Sequence, residues 1–187
     1  MNVDRALALR PALDAVVRAA SARPAPLVLI DGPSGAGKST FAAALVAEWP
    51  GRRPRLLRVD EAIPGWRGLR RGAEMLGPGL LRPRRSGRPG SLRSWDWIAD
   101  RPGPVEHVAP GGPLILEGCG AFLAGAGRTG AVRVWLDAPV ATRRERALAR
   151  DRGAFDPYWD GWESDWRRYL GQSGAARRRA IRVRLAG

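Results

Sequence analysis

Five short stretches of the chain concentrate apolar residues in the manner of strands. Leu27-Val28-Leu29-Ile30 is unbroken, and Leu114-Ile115-Leu116 runs straight into Glu117-Gly118. Arg55 to Asp60, Val132 to Asp137 and Ala180 to Leu185 mix apolar and charged positions over equally short spans. Runs of this length bounded by Gly, Pro and charge predict strands. Between them the pattern changes to that of helices. Phe41 to Glu48 predicts one helix, Leu69 to Leu76 a short second, and Pro139 to Arg150 a third, begun by a proline whose missing N–H costs nothing in a first turn. Asp156-Pro157 offers a cap and then a proline to a helix through about Leu170. Along it Trp159, Trp162 and Trp166, at i, i+3 and i+7, mark a face that packs on the protein. Met1 to Ala22 reads as an amphipathic helix interrupted or kinked at Pro11.

Strands alternating with helices predict a doubly wound, mainly parallel α/β sheet of five strands with helices on both faces. The site of such a sheet lies along the edge where its strands end. One domain over 1–187 is expected, with an insertion at 61–113 rich in Gly, Pro and Arg and a lid region at 139–170. The run Arg82 to Arg88 lacks acids and hydrophobes and is expected as a mobile surface loop.

The link from first strand to first helix carries the most chemistry. It reads Gly32-Pro33-Ser34-Gly35-Ala36-Gly37-Lys38-Ser39-Thr40, a complete G-x-x-x-x-G-K-[ST] phosphate-binding loop. The glycines let the backbone wrap a polyphosphate with its N–H groups inward, and the following helix adds its positive dipole end. Lys38 would reach the terminal phosphates, and Ser39 would offer a hydroxyl to Mg²⁺. Lys38 is also the only lysine in the chain, every other long basic side chain being arginine. A compact ammonium is what this position needs, and a planar guanidinium does not replace it.

Composition narrows the class. One cysteine, Cys119, excludes a disulfide framework, and one histidine, His107, leaves no transition-metal cluster to assemble, which suits a reducing cytoplasm. Charges scattered through Met1 to Ala22 exclude a signal peptide or membrane span there. The formal net charge of +14 could signal nucleic acid. No helix-turn-helix, finger or RNP signature accompanies it, however, so coding bias toward arginine and an active-site field rank ahead, and nucleic acid is not the expected partner.

Several side chains are candidates for chemistry near the loop. Asp60 and Glu117 both close apolar strands: one would hold Mg²⁺ and the other take a proton from an attacking hydroxyl. Arg143, Arg146 and Arg150 share a helix face and would stabilise charge on a transferring phosphoryl group, with a solvated basic face as the alternative. Trp66, Asp96 and Trp97 in the insertion would contact an acceptor by stacking and hydrogen bonding.

These residues resemble those of the uridine kinase-like branch of the P-loop nucleoside and nucleotide kinases, over Leu27 to about Trp166. In that resemblance Asp60 falls where the acceptor hydroxyl is activated, Glu117-Gly118 matches the Glu-Gly after the third strand, and Arg143, Arg146 and Arg150-Asp151 match an arginine-rich lid. It implies ATP and Mg²⁺ as cofactors, with Asp60 as base, Glu117 and Ser39 at the metal, and a small hydroxyl-bearing acceptor, foremost a pyrimidine nucleoside. A nucleoside monophosphate, sugar or antibiotic acceptor is the alternative. A regulatory ATP-binding module or a nucleic-acid-associated NTPase is the reading from another class. Monomer and homo-oligomer are equally compatible with the sequence.

Overall fold

The computed structural model describes residues 3–184, with side chains from residue 8 onward. Met1 and Asn2, expected in the first helix, and Leu185, expected in the last strand, lie outside the described residues. The strands are β1 (Leu27–Asp31), β2 (Arg55–Arg58), β3 (Gly90–Asp96), β4 (Arg101–Val108), β5 (Leu114–Glu117), β6 (Val132–Asp137) and β7 (Ile181–Arg184). The helices are α1 (Val3–Ser21), α2 (Lys38–Ala47), α3 (Leu69–Leu76), α4 (Arg82–Arg85), α5 (Ala121–Ala124), α6 (Val140–Asp151), α7 (Trp159–Gln172) and α8 (Gly174–Arg178). None is long and apolar enough to cross a membrane.

Five strands form one sheet in the order β2-β5-β1-β6-β7, with every neighbouring pair parallel. Parallel strands need crossovers, and the helices supply them on both faces. Alternation along the strands divides the core accordingly. Leu29, Leu114, Leu116 and Trp135 face one cluster with α3, α5 and α7, while Val28, Ile30, Ile115, Val134 and Leu136 face the other with α1 and α2. Trp159, Trp162 and Trp166 are buried in the first cluster, where Trp166 stacks on Trp135 with centroids 5.7 Å apart. Because all five strands run the same way, Asp31, Glu117 and Asp137 reach one edge of the sheet.

The insertion is more ordered than its composition suggests. After a 3-10 turn at Asp60–Ala62 come α3, a π turn at Gly77–Leu81, α4, and an antiparallel hairpin of β3 and β4 pairing Gly90 with Val108 and Asp96 with Arg101. The hairpin has only two strands, so Pro102 and Pro104 can leave their missing donors on its free side. Arg82–Arg85, expected as loop, is one helical turn. Arg84 fastens it by donating to the carbonyls of Ala109, Gly111 (3.1 Å) and Gly112 (3.2 Å).

Candidate active site

The phosphate loop follows β1 and turns into α2 at Gly37, whose φ of 90° is open to glycine. No side chain caps α2 at this residue, which leaves N–H groups at the helix start for an anion. Gly35 has a second reason to lack a side chain: with φ at +76°, a Cβ there would lie 2.0 Å from the carbonyl oxygen of Arg143. The loop and α6 therefore touch backbone to backbone. Lys38 is 8 % exposed, and its Nζ donates to the Pro33 carbonyl (2.9 Å) and toward Cys119 Sγ (3.5 Å). The ammonium is thus folded back along the loop it serves.

Glu117, at the end of β5, is 2 % exposed and accepts the Ser39 hydroxyl at Oε1 (2.9 Å), with Arg58 Nε 3.7 Å from the same oxygen. Burial pushes its carboxyl above the usual range, against the opposing effect of Lys38. A buried carboxylate that is under-compensated and bonded to a serine hydroxyl is a fitting oxygen donor pair for a hard cation. Asp60 sits just beyond β2, at the first residue of the 3-10 turn rather than in the strand, and is exposed. Lys38, Ser39, Asp60 and Glu117 line one cleft of about 570 Å³.

The arginines of α6 divide. Arg150 lines the cleft, with Nε and Nη2 each 2.7 Å from Asp151, whose carboxylate raises its pKa. Arg146 is half-buried one turn earlier. Arg143 does not reach over a phosphate as expected. It is buried beneath the loop, bidentate to Glu163 of α7 (3.0 and 3.4 Å) and donating to the Ser34 carbonyl (3.4 Å). The i, i+3, i+7 spacing aligns the three on the helix, but the approach of α6 to Gly35 puts the first on the buried side. Arg143 braces the loop.

Of the expected acceptor residues, Trp66 and Trp97 line the cleft and Asp96 is not among its lining residues. Asp96 Oδ1 instead accepts the N–H groups of Ile98 and Ala99 (each 3.0 Å), which hold its carboxyl below the usual range. It is the turn former of the β3–β4 hairpin. Trp97 Nε1 donates to the carbonyl of Asp60 (3.1 Å), tying that hairpin to the catalytic candidate. Trp66 stacks on Phe155 (4.9 Å) and Tyr158 (4.6 Å) and meets Trp97 edge-on (4.8 Å). It joins the insertion to the segment between α6 and α7. Thr40 is exposed in the first turn of α2.

Two organising groups carried no isolated signal. Asp31 is fully buried and accepts the N–H groups of Gly32 (2.7 Å), Gly120 (3.1 Å) and Phe122 (2.8 Å) and the hydroxyl of Tyr169. Burial pushes its carboxyl up while Tyr169 and the N–H groups of Phe122 and Gly32 oppose the shift. It locks the start of the phosphate loop to the turn after Glu117, and it closes an apolar strand just as Asp60 and Glu117 were expected to. Cys119 is also buried, packed as a small hydrophobe. Its thiol, pushed up by burial, points at the Gly32 carbonyl (3.4 Å) and lies 3.6 Å from Ser34 Oγ.

No protein-family model matches the sequence, and no curated protein is similar to it. Among solved structures, the chain is similar to one described as a "possible uridine kinase" from Bacillus stearothermophilus, at TM-score 0.60 and 20 % identity, covering 93 % of this chain and 98 % of that one. A "putative fructose transport system kinase" from Silicibacter sp. TM1040 matches at TM-score 0.47 and 22 % identity, covering 75 % of this chain and 82 % of that one. The sheet order, the phosphate loop and the first of these matches agree: the chain has the P-loop uridine kinase-like fold.

Proposed function

We propose that this chain is an ATP- and Mg²⁺-dependent phosphotransferase that moves the γ-phosphate to a hydroxyl of a small acceptor, foremost a pyrimidine nucleoside. The observation carrying this reading is the shared cleft: a phosphate loop with its lysine, a serine bonded to a buried carboxylate, and a second, exposed carboxylate facing the same space. In this reading the loop's N–H groups and Lys38 hold the phosphates. Ser39 and Glu117 are the residues that would hold Mg²⁺, which supplies charge neutralisation on the phosphate oxygens. Asp60 takes the proton of the acceptor hydroxyl, because it is accessible whereas Glu117 is buried and engaged by Ser39. Arg150 stabilises charge on the group in flight, and Arg143 keeps the loop in place for it. Trp97 and Trp66 form the apolar wall for the acceptor, and a cytoplasmic setting suits the single buried thiol. Sugars, antibiotics and nucleoside monophosphates are the competing acceptors of the same chemistry. A panel of nucleosides, nucleoside monophosphates, sugars and aminoglycosides with γ-labelled ATP tests the reading. Transfer of label to a pyrimidine nucleoside supports it, and ATP hydrolysis that no acceptor alters contradicts it.

A further inference from the structure

A second cleft, of about 420 Å³, opens between α4 and the loop 125–131. That loop leads from α5 to the start of β6, whereas the phosphate loop follows the end of β1, so the two clefts lie toward opposite edges of a parallel sheet. They share no lining residue. Buried Leu81 and half-buried Leu123 give it an apolar floor, exposed Pro78 adds to the lining, and Arg82, Arg85 and Arg128 line it as well. Its single carboxylate, Glu74, is bound to Arg70 Nε at 2.8 Å.

The arginines around this cleft fall into two kinds. Arg84 and Arg133 are spent on carbonyls: Arg84 pins α4, and Arg133 pins the loop through Gly125 (3.4 Å), Arg128 (2.9 Å) and Ala131 (3.3 Å). Both walls are therefore fixed before any ligand arrives. Arg82 and Arg85, at i and i+3 on the pinned turn, and Arg128 on the pinned loop have no acceptor for their guanidinium groups among the described residues. Arg128 is moreover half-buried, and burial followed by the neighbouring charge of Arg85 pushes its pKa down. Coding bias accounts for arginine in place of lysine; it does not account for unpaired guanidinium groups gathered on one concavity whose single carboxylate, Glu74, is already bound to Arg70.

We propose that this cleft is a second ligand site, in which Arg82, Arg85 and Arg128 bind a small phosphate-bearing anion remote from the phosphate loop. Guanidinium forks match phosphate oxygens in charge and plane, and the apolar floor suits a small body attached to the phosphate. The volume is that of a small-molecule site, and its concavity favours a free phosphorylated compound over the phosphodiester backbone of a polynucleotide.

Calorimetric titration with inorganic pyrophosphate tests this. The phosphate loop also takes that anion, so the experiment is run on the Lys38→Ala chain, where the loop retains only its N–H groups and the binding lost on further substitution at the cleft belongs to the second site. Saturable binding is expected there, weakened about tenfold or more on adding Arg85→Ala and Arg128→Ala, the order expected on losing charge-assisted hydrogen bonds. Arg85→Glu supplies an independent check that survives any fault in the alanine variants. Its carboxylate pairs with Arg128, so the unliganded melting temperature should rise and pyrophosphate should no longer bind. Three results would overturn the proposal: unchanged pyrophosphate affinity without Arg85 and Arg128, the same effect from sodium chloride at equal ionic strength, or binding of an oligouridylate with none of pyrophosphate. A failure of the phosphate-loop reading appears elsewhere, as no loss of binding when Lys38→Ala is compared with the parent chain.

Discussion

Glu163→Gln is the sharpest probe of how the phosphate loop is held. Arg143 and Glu163 expose only 4 % and 10 % of their side chains, and among the described residues this guanidinium meets no carboxylate but that of Glu163, through two hydrogen bonds. Arg143 Nε is buried with no hydrogen-bond partner among the described residues, so the cation already carries some uncompensated desolvation. Removing the partner charge should cost about 3–5 kcal/mol, the range for breaking one side of a buried pair. Against a typical total of about 5–15 kcal/mol, that is a large fraction of the stability. For a chain of this size it corresponds to a fall in melting temperature of roughly 6–20 °C. Urea unfolding of the parent, Glu163→Gln, Arg143→Met and the double variant Arg143→Met/Glu163→Leu measures it. The double variant should recover most of the loss, because an apolar pair of similar volume carries no charge to desolvate. Its ATP affinity should still fall, since the Ser34 carbonyl has lost its donor. A loss under about 1 kcal/mol for Glu163→Gln, as for an exposed ion pair, would refute the brace.

Further outcomes follow from the same geometry. Lys38→Ala and Lys38→Arg should both abolish productive ATP use, because the 8 % exposed ammonium occupies a place too narrow for a guanidinium; near-parental turnover by Lys38→Arg in a steady-state assay would contradict this. Burial holds the Glu117 carboxyl above its usual range, so the folded chain binds that proton more tightly than the unfolded one. Its contribution to stability is present at low pH and is lost as the pH rises from the ordinary glutamate value toward the folded one. Glu117→Gln should accordingly be more stable than the parent at pH 7, with the gap narrowing as the pH falls toward about 4.3, as urea midpoints across that range would register. Tyr169→Phe removes one donor from the fully buried Asp31 and should cost about 1–3 kcal/mol in the same unfolding assay.

Much of the architecture was legible because it rests on short-range signals. Apolar runs of strand length, proline at Pro139 and Pro157, and the glycine-rich link before Lys38 act within a few residues, and the sheet, α6, α7 and the phosphate loop appear where those signals lie. The antiparallel hairpin was not legible. Its strand Arg101–Val108 carries two prolines, which argue against a strand unless the sheet has only two members. The fate of individual side chains was least readable, because it depends on which elements approach one another. Arg143, Arg146 and Arg150 are equivalent by spacing, and only the contact of α6 with Gly35 separates the brace from the residue in the cleft. Asp96, expected at the acceptor as a carboxylate between tryptophans, was taken by the hairpin turn instead. Asp31, adjoining the most recognisable motif in the chain, owes its importance to Tyr169, which is 138 residues away.

The central claim is that the cleft transfers phosphate and that Asp60 serves the acceptor rather than ATP. It is tested most directly by comparing the parent chain with Asp60→Asn for two quantities, the affinity for ATP·Mg²⁺ and the rate of label transfer to the acceptor that the panel identifies. Amide replaces carboxylate at an exposed position with little change of shape, so the fold should be unaffected. The account predicts nearly unchanged ATP·Mg²⁺ affinity and transfer slowed by about 10²–10⁴, the range for losing a general base. Collapse of ATP·Mg²⁺ affinity would make Asp60 a metal-site residue, and an unchanged transfer rate would contradict its catalytic role altogether.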